Sequence, residues 1–70
     1  MNTESLKRLR ESQRLTQIGM ALKAGVSLST IQKFEGGGLK PYFMTIEKLA
    51  VGYGITPEQV ESFCVKPVTA

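Results

Sequence analysis

The chain has 70 residues, 41% hydrophobic and 21% charged, with a formal net charge of +3, one cysteine and no histidine. That describes one globular domain near the lower size limit for folding without staples, and argues against intrinsic disorder. A lone Cys64 and no histidine exclude a Cys/His metal site, an intramolecular disulfide and a Ser–His or Cys–His nucleophile.

Apolar residues recur with helical spacing along the chain, and no alternating strand stands out. Asn2 or Thr3 can cap a first helix that turns Leu6 and Leu9 inward and Lys7, Arg8, Glu11 and Arg14 outward. Thr16 is a suitable cap for a second helix, roughly residues 17–24, with Met20 and Ala21 among its inner residues. Gly25 follows where a helix ending in a left-handed residue favours glycine. Ser27 can cap a third helix with Ile31 and Phe34 inward, closed by Gly36-Gly37-Gly38.

After Pro41 a fourth helix is expected to about Gly52 or Tyr53, with Phe43, Ile46, Leu49 and Ala50 on one stripe. Thr56-Pro57-Glu58-Gln59 is a strong start signal for a fifth, combining an N-cap threonine, a first-turn proline and a capping-box glutamine. Its apolar face is Val60, Phe63 and Cys64, the last a small buried hydrophobe, and Pro67 stops it. Gly19 and Gly52 fall inside helices, with close packing or marginal stability the only reasons on offer. The expectation is one all-α domain over residues 1–64 with a short tail, 65–70.

Two short helices joined at the corner Gly25-Val26-Ser27, with Ala21 four residues before the glycine, make a helix-turn-helix. The run LTQIGMALKAGVSLSTIQKFEGG resembles the Cro/repressor-type (XRE-like) helix-turn-helix family of phage and bacterial regulators. The matching residues are Gln17, Ala21, Gly25, Val26, Ile31 and the Glu35-x-Gly37 ending. The similarity continues through Pro41 and TIEKLAVGYGITPEQV, covering residues 5 to 63. The resemblance implies a compact five-helix, lambda-repressor-like bundle that binds DNA, commonly as a dimer.

Within that frame, Leu28, Ser29, Gln32 and Lys33 form the outward edge of the third helix, the edge that would enter a major groove. Lys33 suits guanine O6 and N7, Gln32 suits adenine N6 and N7, and Ser29 is promiscuous. Leu28 departs from the family, whose matching position is usually polar; it fits a thymine methyl or a structural role. By resemblance, Gln17 and Lys40 are phosphate contacts, with Thr16 beside Gln17 and Thr30 a weaker candidate. Three consecutive glycines stand where the family usually has one. The resemblance also makes Arg10 and Glu35 a structural pair, and Ala21 and Gly25 the structural residues of the corner.

One short recognition helix reads few base pairs, so a two-fold dimer on a palindromic operator is expected. Ile55, Phe63 and Val65 are its candidate interface; the alternative is that they close the monomer's own core, which is the reading preferred for Val60. Residues 1–40 hold seven basic and three acidic side chains, against two and three in residues 41–70, so a polyanion would meet the N-terminal part.

The function expected is a sequence-specific double-stranded DNA-binding transcriptional regulator, a repressor. The alternative is a protein-interaction module of the same fold, antitoxin- or adaptor-like. No enzyme activity, cofactor, metal, small-molecule ligand or membrane partner is expected. Glu58 and Glu61 share a helix face rather than opposing one another, and the glycine-rich loop lacks the Gly-Lys-Ser/Thr of a phosphate cradle. With no signal-peptide core in MNTESLKRLRESQR, the expected compartment is the cytoplasm.

Overall fold

A computed structural model describes residues 3–65; Asn2, the other candidate first cap, and the tail from residue 66, with Pro67, lie outside them. The order is α1 (Glu4–Ser12), α2 (Gln17–Ala24), α3 (Leu28–Glu35), α4 (Phe43–Tyr53) and α5 (Pro57–Phe63).

Side-chain caps start three of the five helices. Thr16 accepts from Gly19 N–H, Ser27 from Thr30 N–H, and Thr56 from Gln59 N–H, with Gln59 returning the bond to Thr56 N–H at 2.9 Å. Each cap residue has extended backbone, which aims its hydroxyl at the free N–H groups of the first turn. Thr3 departs from the expectation. Its backbone is already helical, at φ −69° and ψ −8°, and its side chain makes no cap bond. Arg14 also departs, because α1 ends at Ser12 and Arg14 sits beyond it at φ +59°.

The corner is as expected. Gly25 has φ +73°, and the N–H groups of Gly25 and Val26 both reach Ala21 C=O, closing α2 before Ser27 opens α3.

Leu6, Met20, Ile31, Phe34, Leu49, Tyr53 and Val60 are fully buried, so every helix contributes to one core. Tyr53 and Phe63 each meet Phe34 edge-on, with ring centroids 5.2 and 6.2 Å away. Ala21 is buried, Val26 packs against the core from the turn, and Cys64 is buried with its thiol donating to Val60 C=O. Burial pushes the Cys64 thiol pKa up, so it is less ionised than an ordinary cysteine.

Phe43 is not on the inner stripe, being 75% exposed. It is the first residue of α4, a turn ahead of Ile46 where burial begins, and Leu39 in the preceding loop joins the core instead. For Gly52 the reason is close packing: a Cβ there would lie 2.7 Å from Ala24 Cβ and 3.2 Å from Met20 Sδ. The glycine lets α4 cross α2 at close range.

Candidate nucleic-acid interface

The third helix turns its two faces as the periodicity requires. Ile31 and Phe34 are wholly buried, the Glu35 side chain is largely covered, and Leu28, Ser29, Gln32 and Lys33 are exposed. All four outward residues therefore share the open side of α3, with Leu28 and Gln32, and Ser29 and Lys33, paired one turn apart. Neither Leu28 nor its exposed neighbour Ile18 belongs to the core cluster.

A groove of about 710 Å³ runs between α1, the N-terminus of α2 and α3. Its walls include Lys7, Thr16, Gln17, Ile18, Leu28 and Gln32, and its floor Arg10 and Glu35. It thus gathers four candidates: Thr16, Gln17, Leu28 and Gln32. Ser29, Thr30, Lys33 and Lys40 do not line it. Lys40 lies exposed in the loop before α4.

Below this groove sits a polar cluster. Arg10 donates to Glu35 through Nε at 2.7 Å and Nη2 at 3.1 Å, and through Nη1 to Leu15 C=O at 2.9 Å. Both side chains of this pair are more than nine-tenths covered. Tyr53 Oη donates to Glu35 at 2.6 Å, and Gln17 Nε2 at 3.3 Å. Burial opposes the Glu35 charge, but the hydrogen bonds from Arg10, Tyr53 and Gln17 outweigh it and hold the carboxyl below its usual range. The bond to Glu35 holds Arg10 more firmly protonated, and burial beside Glu35 keeps the Tyr53 phenol neutral. Arg10 and Glu35 are the expected structural pair. Tyr53 is the partner that the sequence reading missed; a tyrosine on an apolar helical stripe, whose hydroxyl needs an acceptor when buried, was the available signal.

Three of the phosphate candidates already make hydrogen bonds, and Gln17 and Thr16 each keep a donor. Gln17 uses one of its two amide N–H groups on Glu35. Thr16 accepts from Gly19 and keeps its own O–H to give. The Thr30 hydroxyl meets Ser27 Oγ at 2.9 Å, within the α3 cap.

On the opposite side, Ile55 and Phe63 line a second groove, about 490 Å³, together with Leu9 and Arg8 of α1. Val65 does not line it; it is 43% exposed, and its N–H donates to Leu39 C=O at 2.8 Å. Among the described residues no group of His, Cys, Asp or Glu is arranged to hold a metal ion, and no helix is long and apolar enough to cross a membrane.

Comparison with curated proteins and with solved structures gives no match. A family profile described as a helix-turn-helix domain matches residues 4–63, spanning all five helices. That family is typical of non-enzymes, and its class of function is DNA binding and transcriptional regulation. The chain belongs to the helix-turn-helix domain family, of the Cro/repressor (XRE) type, with a lambda-repressor-like fold.

Proposed function

We propose that the protein is a sequence-specific repressor that inserts α3 into the major groove of a palindromic DNA operator as a homodimer. The observation that carries this reading is the common exposure of Leu28, Ser29, Gln32 and Lys33 on a helix whose other face is locked into the core. A rigid support fixes where those four side chains meet base edges. Lys33 donates to guanine, Gln32 pairs with adenine, and Ser29 adds an adaptable contact.

Gln17 and Thr16, at the N-terminus of α2, take one phosphate together with the free N–H groups there. Lys40 takes another from the loop after α3, and Thr30 contributes less. Two protomers meet through Ile55, Phe63 and Val65, setting the reading helices about one DNA turn, ~34 Å, apart. The DNA-binding domain is residues 1–64, and the protein works in the cytoplasm.

The test is a salt titration of binding to a duplex of random sequence. Binding should weaken linearly in log–log form as salt rises, and Lys40→Ala should flatten the slope by about one unit. An identical slope for the variant removes Lys40 from the interface. Exposed Leu22, Phe43 and Met44 favour a second reading, in which the same fold grips another protein. That reading gains if no duplex is bound even at low salt.

A further inference from the structure

Ile18 and Leu28 are large apolar side chains that the fold does not use. Ile18 is 60% and Leu28 36% exposed, and neither belongs to the core cluster. Both line the groove between α1, α2 and α3, Ile18 from the second residue of α2 and Leu28 from the first residue of α3. Gln17 and Gln32 line the same groove, and Lys7 adds a cation to its wall. Glu4 and Glu35 line the groove as well, so charge does not select its occupant; Gln17 is the proposed phosphate contact, Gln32 meets a base edge, and the apolar strip of Ile18 and Leu28 suits a methyl group. In a B-form major groove only thymine presents one, at C5.

Resting on the DNA-binding reading, we propose that Ile18 and Leu28 together form the thymine-selecting surface of the protein, with Ile18 a specificity-determining residue outside the recognition helix. Leu28 covers one side of the methyl and Ile18, reaching across from α2, covers the other. The occupant is fixed by continuity: Leu28 and Gln32 line this groove and also belong to the outward edge of α3, so a duplex seated on that edge lies at the groove.

The probe is a duplex selected by the protein from a random pool, in which each thymine is replaced in turn by deoxyuridine. That change deletes the methyl and leaves every hydrogen-bonding group in place. Wild type should bind about fourfold more weakly for the methyl at the strip, counted once per half-site. Leu28→Ala and Ile18→Ala should each blunt that loss while still responding to changes at the guanine assigned to Lys33. Both residues are exposed, so the variants should melt close to wild type, which circular dichroism checks. Uniform indifference of wild type to deoxyuridine overturns the thymine surface while leaving DNA binding intact. A full deoxyuridine response in Ile18→Ala overturns the role of Ile18. Failure of wild type to select any duplex overturns the underlying reading of sequence-specific DNA binding as well.

Discussion

Replacing Glu35 by glutamine leaves the volume of the polar cluster intact and removes its charge. The carboxylate receives four hydrogen bonds, two from Arg10, one from Tyr53 and one from Gln17. A glutamine offers one carbonyl oxygen in place of two carboxylate oxygens, and its NH₂ faces donors. Arg10, 7% exposed, then keeps its charge with no counter-charge beside it. Breaking a buried pair from one side costs ~3–5 kcal/mol. A chain of this length has a total stability of ~3–10 kcal/mol at the usual ~0.05–0.15 kcal/mol per residue. Glu35→Gln should therefore lower Tm by at least ~12 °C, taking ~4 °C per kcal/mol as the low end for a domain of this size.

Urea unfolding followed by circular dichroism measures the loss directly, with an unchanged m-value showing that the midpoint shift is a change in stability. Tyr53→Phe should cost less, ~1–3 kcal/mol, because it removes one donor and leaves the ion pair. In a double-mutant cycle, Arg10→Met and Glu35→Gln should be strongly non-additive. If Glu35→Gln unfolds within ~0.5 kcal/mol of wild type, the scale of a neutral surface change, the cluster does not hold α1, α3 and α4 together.

Stability should also depend on acid. The folded pKa of Glu35 is depressed, so its contribution is complete above the unfolded value of ~4.3 and is lost as pH falls through the folded value. Urea midpoints should fall in that window, and Glu35→Gln should flatten the fall. Gly52→Ala places a methyl 2.7 Å from Ala24 Cβ and should destabilise by ~1–3 kcal/mol, with Ala24→Gly restoring part of the loss; a neutral Gly52→Ala contradicts the close helix crossing. Lys33→Ala should weaken binding to the selected site by ~1–3 kcal/mol and relax one base position, as read by competition with single-base variants; unchanged preference there removes Lys33 as a reader.

Local chemistry was legible in the sequence because it involves near neighbours. The Thr56/Gln59 box, the Ser27 cap and the left-handed Gly25 each need only residues a few positions apart, and each is present. Periodicity separated Ile31 and Phe34 from Leu28, Ser29, Gln32 and Lys33 for the same reason. What escaped depends on distant parts of the chain. Gly52 makes sense only once Ala24 lies against it, and Gln17 meets Glu35 across a gap of 18 positions. Phe43 misled because a stripe counted by spacing says nothing of where the neighbouring helices stop. The Arg10–Glu35 pair came from family resemblance, which carries long-range contacts that periodicity lacks.

Selection from a random duplex pool at low salt shows whether the outward edge of α3 reads a palindrome. The expected result is an enriched two-fold symmetric sequence whose half-site centres lie one helical turn, ~10 base pairs, apart. Enrichment of no sequence, or of a single asymmetric half-site that leaves the bound protein monomeric, would contradict it.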